Sequence, residues 1–210
     1  MKPAAIRSSI WTLSFILPIS IFVVIVHEII WEKESALDMT VYQYLTRNPG
    51  PEYVKKIMTG LSFLASPYLL GPAYLIIIIW YAAIKKNSRL AMYIVSAALA
   101  GFLTTFLLKW LFQRPRPSTP IVTPSADYSF PSGHSSAAFI FYGLIIYLLS
   151  RTAILRKFKY PAYACIALLS LLIGFSRVYL RVHYASDVLA GFCIGAAWLS
   201  LSISMIHRKD

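Results

Sequence analysis

Long apolar runs alternate with polar stretches along the whole chain. A membrane-crossing helix needs about 20 mostly apolar residues, and six runs qualify. They cover 9–30, with Pro18 inside, 61–84, with Pro67 and Pro72 in its first half, 90–111, 134–150, 161–175 and 187–206. The pattern predicts an all-α polytopic membrane protein, a six-helix bundle, with 1–210 forming one integral membrane domain. Lys2 and Arg7 precede the first run, as in a signal peptide. That run exceeds an h-region of about 7–15 residues. The residues after it, Trp31-Glu32-Lys33-Glu34, offer no small-residue cleavage site, so it is read as an uncleaved anchor. The segment 32–56 is the long connection ahead of the second run. Leu37, Val41, Tyr44 and Leu45 recur there at roughly helical spacing, which predicts a helix lying on the outer membrane surface. Asn48-Pro49-Gly50-Pro51 ends it. Gly191 and Gly195, one helical turn apart in the sixth run, favour close packing within the bundle over a dimer face.

Composition excludes the other classes. Hydrophobic residues make up 58% and charged residues 13%, where a soluble domain carries about 25% charged residues. That is too few to cover a soluble surface, and it is not a disordered, collagenous or disulfide-scaffold composition. Cys165 and Cys193 both lie in apolar stretches and read as small core residues. The net charge of +12 would suggest a nucleic-acid partner in a soluble protein. In a membrane protein it reads as positive-inside asymmetry, with no nucleic acid involved. With the N-terminus inside, the inner segments hold Lys2, Arg7, Lys85, Lys86, Arg89, Arg151, Arg156, Lys157, Lys159, Arg208 and Lys209 against Asp210 alone. The outer segments hold Lys33, Arg47, Lys55, Lys56, Lys109, Arg114, Arg116, Arg177 and Arg181, balanced by most of the acids. Both termini are therefore expected to be cytoplasmic.

In that layout three polar segments meet at the outer face: 109–117, 130–135 and 176–187. Lys109, Arg116 and Arg177 are cationic donors that repel one another unless an anion sits between them, and Arg forks onto phosphate oxygens. Ser132 and Gly133 immediately precede a helix, whose free amides and the Ser hydroxyl make an anion cradle. His183 stands four residues before Asp187, on one face if the stretch is helical. A carboxylate holding one imidazole nitrogen raises the basicity of the other, so His183 is a nucleophile candidate. His134, at the start of the fourth run, is then a candidate general acid for the leaving oxygen. Arg114 and Arg181 are open between supporting this site and contacting lipid headgroups. Asp127 reads as a loop residue, His27 and His207 as structural, and Trp31 and Trp110 as an aromatic belt.

Together, Lys109 with Arg116-Pro117, Pro131-Ser132-Gly133-His134, and Ser176-Arg177 with His183 and Asp187 resemble the three signature motifs of the type 2 phosphatidic acid phosphatases. This lipid phosphate phosphatase family is related to bacterial acid phosphatases and vanadium haloperoxidases. The resemblance covers 109–187 directly. It implies a haloperoxidase and acid-phosphatase-like core and hydrolysis of a lipid phosphate. Lys109, Arg116, Ser132, Gly133 and Arg177 would bind the phosphoryl group. His183 would form a phosphohistidine, Asp187 would orient it, and His134 would protonate the leaving alkoxide and then help activate water. It implies no metal and no cofactor, and the outer face has no carboxylate cluster suited to Mg²⁺.

A phosphotransferase would use the same site. A transporter would place ionisable residues near the bilayer midplane, whereas these lie at helix ends. The expected substrate is an amphiphile, with its phosphate in the cationic pocket and its tails among membrane lipids. The compact chain is similar to bacterial plasma-membrane members acting on phosphatidylglycerophosphate, phosphatidic acid or undecaprenyl diphosphate. A monomer or a weak homodimer is expected.

Overall fold

A computed structural model describes residues 3–32 and 35–207, with side chains at 12–30 and 35–207. Of the residues used above, Lys2, Lys33, Glu34, Arg208, Lys209 and Asp210, and the side chains of Arg7, Trp31 and Glu32, lie outside the described residues. The elements in chain order are α1 (Pro3–Glu32), α2 (Ala36–Arg47), α3 (Glu52–Phe63), α4 (Pro67–Ile79) continuing into a π turn (Trp80–Ile84), α5 (Ser88–Phe112), α6 (Gly133–Ser150), α7 (Arg156–Tyr179) and α8 (Ala185–His207). All regular structure among the described residues is helical. Six segments are long and apolar enough to cross a membrane: 12–30, 52–84, 88–112, 133–150, 156–179 and 185–207. The chain is a multi-pass membrane protein.

Local chemistry sets the helix ends. The Asn87 side chain accepts from the Leu90 amide at 3.0 Å and starts α5. Gln113, at φ 47°, stops α5 in the left-handed region and turns the chain into the 113–132 loop. Pro67 has no N–H, so it opens α4 at its first turn and separates α4 from α3. The second crossing starts at Glu52, well before 61, because Pro51 is extended and launches α3 directly. The fifth helix outruns 161–175 at both ends. Arg156, Lys157 and Lys159 before it, and Ser176 and Arg177 after it, are too polar for an apolar run, yet the backbone helix continues through them.

The buried and exposed faces invert the soluble pattern. Ile76, Phe102 and Leu107 face outward, while Thr105, Ser132, Ser135, Ser136, Ser176 and Ser186 are buried. Outward apolar surface suits hydrocarbon, and the inward hydroxyls of Thr105, Ser132, Ser135, Ser176 and Ser186 hydrogen-bond inside the bundle, while Ser136 Oγ has no hydrogen-bond partner among the described residues. Cys193 is buried, but Cys165 is exposed on α7 and is not a core residue. The run around it is apolar on every side, so its pattern does not tell an outward from an inward face, and Cys165 falls on the outward one.

α8 packs against α1, α5, α6 and α7, and also against α2. Glycine makes one of these approaches possible. A Cβ on Gly191 would come within 2.5 Å of the Ser132 carbonyl oxygen, and one on Gly195 within 2.7 Å of Phe139 Cβ. The two glycines therefore serve packing of α8 on α6 within the chain, and they bring the start of α8 against the start of α6.

Candidate active site

The three polar segments meet at one end of the bundle. Lys109 comes from the last turn of α5, Ser132, Gly133 and His134 from the start of α6, Arg177 from the end of α7, and Asp187 from the first turn of α8. Arg116 lies in the loop after α5, and His183 in the turn between α7 and α8. Ser132 is the N-cap of α6; its hydroxyl accepts from Ser135 Oγ at 2.9 Å, and its own amide donates to the Asp187 carbonyl at 2.9 Å. That last bond ties the second motif to the third.

Lys109 and Arg116 converge on one carboxylate, Asp127. Lys109 Nζ is 3.0 Å from Asp127 Oδ2, and Arg116 Nη2 is 2.5 Å from Asp127 Oδ1. Lys109 also donates to the Tyr128 carbonyl. Partial burial works against ionisation of Asp127, but Lys109 and Arg116 outweigh it and hold the carboxyl below the usual carboxylate range. Asp127 is a loop residue, as read from sequence. Its pairing with both cations had no sequence signal.

Arg116 reaches further. Its Nη1 donates to the Val182 carbonyl at 2.6 Å and lies 3.2 Å from His183 Nε2. A guanidinium can only donate, so Nε2 must be the accepting nitrogen and the proton resides on Nδ1. Nδ1 faces Asp187 Oδ2 at 3.5 Å. The lone pair of His183 thus points toward the cations, and its N–H toward the carboxylate. Burial pushes the His183 imidazole down to about 4; Asp187 opposes this, and Arg116 and Arg177 add to it. His134 lies within electrostatic reach of Arg177, His183, Arg116 and Lys109. Arg177 donates to Ser62 on α3 through Nη1, and its buried Nε has no hydrogen-bond partner among the described residues.

Asp187 is fully buried and both its oxygens are engaged. Oδ2 accepts from Ser129 Oγ at 2.5 Å and from the Tyr184 amide at 2.9 Å, and Oδ1 accepts from Arg114 Nη1 at 2.7 Å. Arg114 therefore belongs beneath Asp187 and not at a lipid headgroup. Its Nη2 donates to Asp38 Oδ2 on α2 at 2.8 Å. Arg181 bonds Thr119 at 3.2 Å, and Tyr42 on α2 bonds Ser118 and Thr119 at 3.0 and 2.9 Å. These contacts tie the 113–132 loop to the turn after α7 and to α2. Asp38, Ser62, Ser129 and Ser186 were not singled out from sequence. Each is a polar residue with no local pattern, and only burial marks them.

A cluster of cations beside an imidazole and its carboxylate, at the end of a polytopic helical bundle, has the architecture of a membrane phosphatase. The chain belongs to the PAP2 superfamily, whose model matches residues 89–210. It is 32% identical over 152 residues to phosphatidylglycerophosphatase B of Bacillus subtilis, covering 72% of this chain and 73% of that protein. It is 26% identical over 159 residues to undecaprenyl-diphosphatase BcrC of the same organism, covering 73% and 77%. In three dimensions it resembles the crystal structure of a transmembrane PAP2-type phosphatidylglycerolphosphate phosphatase from B. subtilis. The TM-score is 0.80 at 26% identity, over 92% of this chain and 97% of that one.

Proposed function

We propose that this PAP2 enzyme hydrolyses the terminal phosphate of a membrane lipid through a phosphohistidine on His183. The observation that carries the reading is the convergence of Lys109 and Arg116 on one carboxylate, with Arg116 also touching the lone-pair nitrogen of His183. Two cations gathered around an anion beside a neutral imidazole suit a phosphoryl group, with Asp127 holding the cations in its place. In the first step His183 Nε2 attacks phosphorus. The N–P bond forms, the P–O bond to the lipid breaks, and His134 gives its proton to the leaving oxygen. In the second step water attacks phosphorus and passes its proton to His134. The N–P bond then breaks, releasing inorganic phosphate and restoring His183. Ser132, Gly133 and Arg177 hold phosphoryl oxygens, and Asp187 holds the imidazole in the reactive tautomer. Lys109, Arg116 and Arg177 balance charge in the transition state, so no metal is required in this scheme.

Substrate class follows from the site's setting and the relatives' names. The site lies at helix ends beside apolar outward faces, which suits a phosphate head above lipid tails. Phosphatidylglycerophosphate and undecaprenyl diphosphate are the substrates that the relatives suggest, and phosphatidic acid has the same chemistry. We assign the site to the extracytoplasmic face of the plasma membrane, with both termini cytoplasmic, from the distribution of basic residues. The test for activity is phosphate release from these three lipids in detergent with EDTA present. Release by wild type but not by His183→Ala is expected, and strict dependence on added Mg²⁺ would overturn the metal-free scheme. Orientation is checked by a single cysteine at Ser125, in a background lacking Cys165 and Cys193. A membrane-impermeant maleimide is expected to label it in intact cells, and labelling only after lysis would reverse the topology.

A further inference from the structure

We propose that Asp38 and Arg114 are positioning residues for the His183–Asp187 pair: α2 supplies a buried carboxylate that locks the Arg114 guanidinium, and the guanidinium locks Asp187. This rests on the reading of His183 as nucleophile. Arg114 bridges two carboxylates, with Nη1 on Asp187 and Nη2 on Asp38. Asp38 is 2% exposed, Arg114 7% and Asp187 0%. Asp38 also accepts from the Ser186 amide at 2.8 Å and from the Ser186 hydroxyl, so it fastens the first turn of α8 one residue before Asp187. Ser186 Oγ lies 2.8 Å from Arg114 Nη1, and the guanidinium sits 4.3 Å from the Tyr184 ring centroid. Tyr184 directly follows His183 in the chain. The cluster therefore surrounds the nucleophile's carboxylate from below.

Docking of α2 does not require these charges. Leu45 already packs with Val54 and Met58 on Tyr179, Leu180 and Val182, and Tyr42 bonds the 113–132 loop. Burying three charged groups carries a desolvation penalty for each ion, and apolar residues would hold a helix at least as well. Charge balance supplies the reason for the arrangement. Arg114 alone would cancel the field of Asp187 at His183. Asp38 balances Arg114 in turn, leaving one net negative charge within the Asp38–Arg114–Asp187 cluster. That charge matches the positive charge that develops on His183 as Nε2 bonds to phosphorus.

The test compares Asp38→Asn, Asp38→Glu, Arg114→Lys and the control His183→Ala in the full-length protein in detergent. Asp38→Asn keeps the shape and removes the charge. Its kcat on phosphatidylglycerophosphate is expected to fall about tenfold, with KM within about twofold and thermal unfolding unchanged. Arg114→Lys keeps the charge but loses the planar fork that places one nitrogen on Asp187 and another on Asp38, and is expected to lose as much. Asp38→Glu should recover most of the activity. A second readout needs no substrate. ¹⁵N-histidine NMR of His183, assigned from His183→Ala, is expected to show its protonation midpoint moving to lower pH in Asp38→Asn. The other charged or titratable groups facing the ring, Asp187 of α8, Arg116 of the loop, Arg177 of α7 and His134 of α6, are the same in both proteins. Wild-type kcat and an unchanged His183 spectrum in Asp38→Asn would overturn the proposal. So would a loss of activity that only tracks loss of folded protein. An active His183→Ala would instead sink the phosphohistidine reading, and the spectrum would still decide the role of Asp38.

Discussion

Asp127 and Asp187 each sit against cations at the same end of the bundle, yet their surroundings differ. The Asp127 side chain is 46% exposed, and its contacts are ion pairs from a loop. Asp187 is buried and held by a guanidinium, a hydroxyl, an amide and an imidazole. An exposed ion pair is worth about 0–1 kcal/mol, so Asp127 is exchangeable for another anion. Removing one partner from a buried set leaves an uncompensated charge costing about 3–5 kcal/mol, so Asp187 is fixed. One carboxylate is half-exposed between two cations. The other is sealed against an imidazole.

The comparison can be broken most severely on the fixed side. His183→Ala is expected to abolish turnover. Asp187→Asn should lower kcat by about 10⁴, because an amide holds the imidazole in the wrong tautomer. A stopped assay of phosphate release on folded protein checks both, and an Asp187→Asn enzyme within tenfold of wild type would mean that the carboxylate does not orient His183.

A gentler probe is pH. Burial favours the neutral imidazole of His183, so its protonated form should appear only as pH falls through about 4, well below the ordinary histidine value. If His183 is the nucleophile proposed above, activity should persist across the neutral range and be lost in acid. The ¹⁵N spectrum of His183 in the substrate-free enzyme reads this without interference from titration of a substrate phosphate. A midpoint near 6.5 would show that the ring is solvated and not enclosed as described.

The smallest effect is expected on the exchangeable side. Asp127→Asn removes the anion that competes for Lys109 and Arg116, and KM should fall by about two- to fivefold with kcat little changed. A rise in KM would mean that Asp127 helps to bind substrate and does not stand in its place.

Much of this was legible in sequence because it is local. Apolar runs mark membrane-crossing helices whatever their neighbours. Lys109, Arg116, Ser132, Gly133, His134, Arg177, His183 and Asp187 stand in three short patterns, each at a helix end. The Gly191 and Gly195 pair also carried its own signal. Helix limits were less legible: α7 continues through residues too polar for an apolar run, and α3 starts inside the segment read as a surface connection.

The partners of the site residues were not legible at all. Asp38 meets Ser186 across 148 positions and Arg114 across 76, in a stretch whose apolar spacing predicted only a surface helix. Ser129 reaches Asp187 from a loop with no pattern of its own. The chain by itself determined the number of membrane helices and the residue types gathered at one end of them, since both depend on runs and spacings within single segments. Which cation meets which carboxylate, and which carboxylate is sealed from water, was decided only when α2, the 113–132 loop and α8 closed on one another. Burial and charge pairing are properties of that closure, because the low-dielectric surroundings that give a buried ion pair its strength exist only once distant segments have excluded the solvent.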